Sequence, residues 1–85
     1  MNAKMQFNDD HVRSTSESES DGFRFYVTFT MTEAGIFAEV YCQKVEMDLD
    51  SLSETRQFGW NESNQALQWA NNLKLDITRG YVVLN

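Results

Sequence analysis

The sequence predicts a small α+β domain in which an antiparallel sheet of three to four strands is covered on one face by a single helix. Apolar residues recur at every second position over residues 23–31, which is typical of a half-buried strand. Over residues 66–73 they recur at spacings of three and four, which is typical of a helix. The chain of 85 residues is long enough for one domain with a modest core. We therefore expect the element order β-β-(β)-α-β.

The first two strands of this order are predicted to form a hairpin. The alternating run over residues 23–31 leads into a tight reversal at residues 32–35. Gly35 stands where such a reversal favours a residue with left-handed backbone. A second strand, over residues 36–43, places Cys42 on the same face as its aliphatic residues. This face is expected to meet the helix.

Residues 44–60 fit more than one assignment. A change of parity near Gln43 and Lys44 requires either a bulge there or the end of the second strand. Residues 46–54 fit a loop or one helical turn equally well. Residues 55–60 alternate well enough to predict a short third strand.

The helix is predicted to begin near Asn61, because asparagine is a good N-cap residue. Its apolar stripe runs from Ala66 to Leu73, and its polar face carries Gln and Asn, which are mediocre helix formers. The helix should therefore depend on packing against the sheet. Apolar residues near the end of the chain predict a final strand at residues 80–84.

The start of the chain differs in composition from the rest. Residues 1–22 are predicted to be a flexible acidic, serine-rich segment, which leaves residues 23–85 as the single α+β domain. The run 14–22 has no apolar residue with which to offset the entropy of ordering, so we expect a mobile loop or tail there. Met5 and Phe7 alternate with polar neighbours and allow one additional short strand.

The charge and composition narrow the class of partner. The formal net charge of -6 disfavours direct binding to nucleic acid, because the phosphates would repel the protein. It favours solubility, or steering toward a basic protein surface. No run of residues approaches the length of a membrane span, and no secretory signal is visible, so no membrane partner is expected. With a single cysteine and no internal disulfide, the expected compartment is the cytoplasm.

Residues able to carry chemistry are few, and we expect no enzyme, cofactor or metal. Nucleophilic catalysis needs a base beside the nucleophile, but His11 is the one histidine and lies far in sequence from Cys42. Cys42 is expected to behave as a small apolar core residue. The run from Asp48 begins like an EF-hand loop, but Ser53 replaces the required glycine and Gly59 the required glutamate.

One hypothesis for function depends on an acidic surface. Spaced carboxylates on a rigid scaffold can present a phosphate-like pattern to the basic groove of a nucleic-acid-binding protein or complex. In size and charge the chain resembles the compact acidic proteins that phages encode, such as host RNA-polymerase inhibitors, anti-restriction proteins and anti-CRISPR proteins. No motif ties it to one family. The expectation is a non-enzymatic inhibitor, acting in the host cytoplasm if phage-encoded, through Glu46, Asp48, Asp50 and Glu54.

The other hypothesis depends on aromatic residues. If the strands face the helix as expected, Tyr26, Phe37 and Tyr41 point to the outer face of the sheet, near Arg24. Tyrosine and arginine are enriched where proteins bind one another. The same side chains could stack nucleic-acid bases, which the net charge opposes, or could pack under the N-terminal segment. An open edge strand could also pair with a second copy and make a homodimer.

Overall fold

The computed structural model describes residues 12–46, 51–82 and 84. The described strands form one antiparallel sheet in chain order, and a helix packs on one of its faces, which confirms the α+β class. The expected N-terminal strand at Met5 and Phe7 lies outside the described residues. The elements follow the order β1 (Val12–Ser20), β2 (Phe23–Thr32), β3 (Gly35–Lys44), β4 (Ser51–Phe58) and α1 (Ser63–Thr78).

The hairpin of β2 and β3 is the centre of the sheet and follows the prediction. Its register runs without interruption from the pair Thr32 and Gly35 to the pair Phe23 and Lys44. No bulge interrupts it, so the change of parity marks the end of β3. The Thr32 hydroxyl closes the reversal, since it accepts from the Ala34 N–H and donates to the Gly35 carbonyl, both at 3.2 Å.

Strand β1 occupies residues that the sequence predicted as a mobile loop, and that prediction of secondary structure is wrong for residues 14–20. Asp21 and Gly22 connect β1 to β2 with φ angles of 54° and 85°. Two successive residues with positive φ are typical of the type I′ turn, which aligns strands for pairing. The backbone pairing that results extends to Val12 opposite Met31 and requires no apolar side chain.

Strand β4 and the start of α1 also differ from the expected boundaries. The third strand was predicted at residues 55–60, but β4 already begins at Ser51. The N-cap of α1 is Glu62, not Asn61, and it makes no side-chain capping bond to the helix. Its carboxylate instead accepts the Gly59 N–H at 2.6 Å, which fixes the turn between β4 and α1.

The helix is longer than predicted and replaces part of the expected final strand. It continues past Leu73 to Thr78 because Ile77, one turn further on, buries its side chain against the sheet. Residues 81–82 form bends, so a strand over 80–84 is wrong for the described part of that range. Within the described ranges α1 is the only helix, and it is not long and apolar enough to cross a membrane.

The core lies between α1 and the faces of β2 and β3 that meet it. Phe25, Val40 and Cys42 are each at most 1% exposed. The small side chains of Ala66 and Ala70 are buried against this face and let the helix backbone come close to the strands. The predicted facing of both strands is therefore confirmed, because their buried apolar side chains (Phe25, Val27, Ile36, Ala38, Val40 and Cys42) all belong to the parity that faces α1.

Among the turn residues, Gly35 is the one whose substitution should destabilise the fold most. Its φ is +130°, and a Cβ there would overlap the carbonyl oxygen of Phe58. We expect Gly35→Ala to lower the free energy of unfolding by about 3 kcal/mol, since backbone strain and overlap add.

Gly22→Ala is the matched control, because Gly22 also has a positive φ but open space around it. It should cost only about 1 kcal/mol in the same urea denaturation. Equal losses would show that the contact with Phe58 does not matter.

Candidate functional site

The sheet has a second face, opposite α1, which we call the open face. In antiparallel strands, paired residues point to the same side, so the register assigns each side chain to a face. Among the described residues, the four strands and α1 are the only elements, and α1 lies on the other side. The open face is polar, with aromatic residues near its centre. It comprises Arg13, Thr15, Glu17 and Glu19 of β1; Arg24, Tyr26, Thr28, Thr30 and Thr32 of β2; Phe37, Glu39, Tyr41 and Gln43 of β3; and Ser51, Ser53, Thr55 and Gln57 of β4.

An aromatic pair marks the centre of the open face. Tyr26 and Tyr41 are direct cross-strand partners, and their ring centroids are 6.0 Å apart with an interplanar angle of 39°. This is the separation at which tilted aromatic rings attract each other. Both side chains are only partly buried, so the pair is held in position and still reaches the surface.

Arg24 lies beside this pair and is held by β1. Its Nη2 is 3.4 Å from a carboxylate oxygen of Glu19, and its Nε is 3.8 Å from one of Glu17. The hydrogen bond with Glu19, followed by that with Tyr26, raises the pKa of the guanidinium above its usual value. Arg24 is thus a fixed cation next to the tyrosine pair. The sequence-based prediction that Arg24, Tyr26 and Tyr41 lie on one outer face is confirmed.

Phe37 shares the open face but lies apart from the tyrosine pair. It is opposite Thr30 on β2 and is 38% exposed. On β3 it is four residues from Tyr41, a distance of about 13 Å along a strand. Glu39 lies on the same face between them. The four predicted aromatic and basic residues therefore share a face, but only three of them form a compact group.

The two predicted acidic residues that the structure describes, Glu46 and Glu54, do not share one surface. Glu54 is opposite Val40 in the register, which places it on the helix side of β4. Glu46 is exposed beyond the end of β3 at Lys44, and about 13 Å of strand separates Val40 from Lys44. The structure does not bring Glu46 and Glu54 together.

The end of the sheet where β3 stops carries its own acidic group. Glu46 lines a cleft with Asp21, the turn residue between β1 and β2, and with the cation Lys44. The backbone joins these two turns, because the Val45 N–H donates to the Gly22 carbonyl at 2.9 Å. Two further predicted acidic residues, Asp48 and Asp50, follow Glu46 in the chain and lie outside the described residues.

Metal binding and covalent chemistry find little support in the described part of the chain. There, no three His, Cys, Asp or Glu side chains are grouped so that they could hold a metal ion. Cys42 is buried, and burial raises the pKa of its thiol to about 11. A thiol with such a pKa is a poor nucleophile at neutral pH, because the thiolate is the reactive form. His11, the other member of the Cys-His pair that we considered, lies outside the described residues.

Sequence reasoning missed the contribution of β1 to the open face. Glu17 and Glu19 hold Arg24, and the hydroxyls of Thr15 and Thr28 are 3.1 Å apart across the two strands. The signal that could have found them was the dipeptide Asp-Gly at residues 21–22, a strong hairpin indicator just before an alternating strand.

The buried thiol predicts a dependence of stability on alkaline pH. Unfolding exposes Cys42, whose pKa then returns from about 11 toward the ordinary 9.0. Between these two values only the unfolded chain loses the thiol proton, so the free energy of unfolding should fall as the pH rises. We expect the free energy of unfolding to fall by about 2 kcal/mol more between pH 9 and pH 11 in the wild-type protein than in Cys42→Ala, which lacks the thiol. Urea denaturation across this range measures it, and parallel pH curves for both proteins would contradict it.

Comparison with known proteins leaves the open face without an assigned role. The chain matches no protein-family model, no curated protein and no solved structure. A proposal for function must therefore start from the geometry of the described residues.

Proposed function

We propose that this protein is a non-enzymatic binding protein that docks the open face of its sheet on a larger protein. The observation that carries the proposal is the pair Tyr26 and Tyr41 with Arg24 fixed beside it. A few residues supply most of the binding energy of a typical interface, and tyrosine and arginine are enriched among them. Side chains that are already held by a rigid sheet lose little conformational entropy when a partner covers them.

The charge of the chain supports a basic partner. A formal net charge of -6 accelerates the approach to a positively charged surface and opposes contact with nucleic acid itself. Basic grooves are typical of nucleic-acid-binding proteins, which can be blocked by covering that groove. We place this action in the cytoplasm, which is the host cytoplasm if the protein is phage-encoded, and no cofactor takes part.

The proposal predicts that the tyrosine pair is the energetic centre of the interface. Replacing Tyr26 and Tyr41 by serine should weaken binding by about a hundredfold, because two hot-spot side chains are lost. Partners captured from a bacterial lysate would be identified by mass spectrometry. Each one would then be purified and titrated calorimetrically with the wild-type protein and with the variant.

The control removes two exposed apolar side chains from another surface. Leu67 and Leu75 lie on α1 and are 50% and 46% exposed, so Leu67→Ser with Leu75→Ser should leave the affinity unchanged. If both double variants bind as the wild-type protein does, the open face is not the interface. Equal weakening by both would show a general loss of fold.

A second candidate function is supported by the acidic end of the sheet. There Asp21 and Glu46 line one cleft together with Lys44, and Asp48 and Asp50 follow within four residues of Glu46 in the chain. In this alternative the carboxylates imitate nucleic-acid phosphates in the groove of a nucleic-acid-binding protein. The partner class is the same, and the contacting surface differs.

Charge reversal separates this alternative from docking through the tyrosine pair. Asp48→Lys with Asp50→Lys should weaken binding at least tenfold and reduce its dependence on salt, because fewer ions are released on contact. Glu33→Lys with Asp76→Lys makes the same change in charge at other sites and serves as the control. An affinity that falls equally in both variants would indicate steering by net charge alone, and an unchanged affinity would exclude the mimic.

A further inference from the structure

Strand β4 is an edge of the sheet and has the features of a pairing surface. Among the described residues, β1 and β4 are the two outer strands of the sheet. An outer strand offers a row of backbone donors and acceptors to another chain unless something blocks it. β4 contains no proline and no lysine, two residues that commonly block such an edge, and residues 53–57 are exposed. Its charged residues are Glu54 and Arg56, one of each sign. We propose that β4 pairs antiparallel with β4 of a second copy of this chain, with Thr55 on the two-fold axis.

Symmetry limits the registers that two copies of β4 can adopt. A two-fold axis perpendicular to the sheet keeps every side chain on its own face. Residues directly opposite each other in antiparallel strands also lie on the same face. The two residue numbers in each opposite pair therefore differ by an even number. As a result, the residue at the centre of the register lies opposite its own copy, and the axis passes between the two. Neighbouring positions of β4 alternate between the helix side, where Glu54 and Arg56 lie, and the open face, where Thr55 lies.

Charge selects one of the central registers. An axis through Glu54 would place two carboxylates opposite each other, and an axis through Arg56 would do the same with two guanidinium groups. An axis through Thr55 places Glu54 opposite Arg56 of the second copy, twice by symmetry. It also places Leu52 opposite Phe58, so that apolar residues meet at both ends. Opposite charges and apolar pairs across strands stabilise a sheet, and like charges destabilise it.

The two charges needed for this pairing are not engaged in ion pairs within the described chain. The carboxylates that pair with Arg24 are those of Glu17 and Glu19, and Glu54 is not among them. Arg56 lies 5.5 Å from the ring centroid of Phe58, a position it can keep while it faces a carboxylate across the new strand pair. The other edge, β1, is a poorer candidate because both of its carboxylates already hold Arg24.

The helices leave room for this arrangement. α1 packs mainly on β3, and both helices of the dimer would lie on the same side of a continuous eight-stranded sheet. Three strand spacings would separate β3 from its copy, about 14 Å, whereas packed helices need only about 8–10 Å. The helix flank above β4 carries exposed Gln65, Gln68 and Asn72. Uncharged amides allow two identical flanks to approach without repulsion.

Such a dimer would carry two open faces on one side of a single sheet. A partner with two equivalent sites, or two neighbouring partner molecules, could then be held by both faces at once. This pairing involves the edge of β4 and not the tyrosine pair, so it stands or falls independently of docking through the open face.

Cysteine cross-linking tests the position of the axis. With Thr55→Cys, the two Cα atoms would be about 4.5–5.5 Å apart, within the range that a disulfide spans. The control is Ser53→Cys, which lies on the same face. In this register the two copies of residue 53 would be offset by four residues along the strands, about 13 Å, which is too far for a disulfide. The native Cys42 is 0% exposed and does not compete. We expect mild oxidation to cross-link Thr55→Cys at least tenfold faster than Ser53→Cys. Equal rates, or no cross-link in Thr55→Cys, would overturn the proposal.

A charge exchange tests the register without cysteine. Glu54→Arg and Arg56→Glu should each weaken dimerisation about tenfold or more, because each creates two like-charge contacts. The double variant Glu54→Arg with Arg56→Glu restores opposite charges and should return to within about threefold of the wild-type dissociation constant. Sedimentation velocity measures all four proteins, with circular dichroism to confirm that each is folded. A wild-type monomer at about 1 mM, or a double variant weaker than both single ones, would refute the pairing.

Discussion

The close packing of α1 on β2 and β3 is the contact on which the rest of the structure depends. Ala66 and Ala70 let the helix lie near the strands. Phe25 and Val40 pack with Ala70, and Ile36 and Phe58 pack with Ala66. A four-stranded sheet offers no other buried surface in the described chain, so this one layer supplies most of the apolar burial. Because folding gains are small for a chain of this size, a defect in this layer should affect every other element.

One helix is narrower than four strands, and this mismatch determines which surfaces of the sheet stay exposed. A helix with its side chains is about 10–12 Å wide and covers little more than two strands. β1 and much of β4 therefore remain exposed at the edges, and the opposite side of the sheet receives no cover from α1. The Tyr26–Tyr41 pair, Arg24 and the β4 edge all lie on surfaces that this geometry leaves open.

Several features could be predicted because they depend on local patterns. The alternation from Phe23 onward predicts both the strand and which of its side chains are buried, and Arg24, Tyr26 and Tyr41 were placed correctly on the outer face. β1 was missed because its stability comes from backbone pairing and from cross-strand contacts with Arg24, which no apolar pattern reveals. The final strand was mistaken because Ile77 fits a strand or a fourth helical turn equally well until the sheet is there to bury it.

The sequence by itself determined the α+β class, the hairpin of β2 and β3, the helix after residue 60, and the strongly negative charge, since periodicity, turn residues and composition are properties of the chain alone. Only the tertiary structure decided that Glu54 lies on the helix side of an outer strand while Glu46 lies at the end of the sheet. It likewise decided that β1 holds Arg24 beside the tyrosine pair. The reason is that strand order and register set these relations, and they arise from backbone hydrogen bonds between residues far apart in the chain.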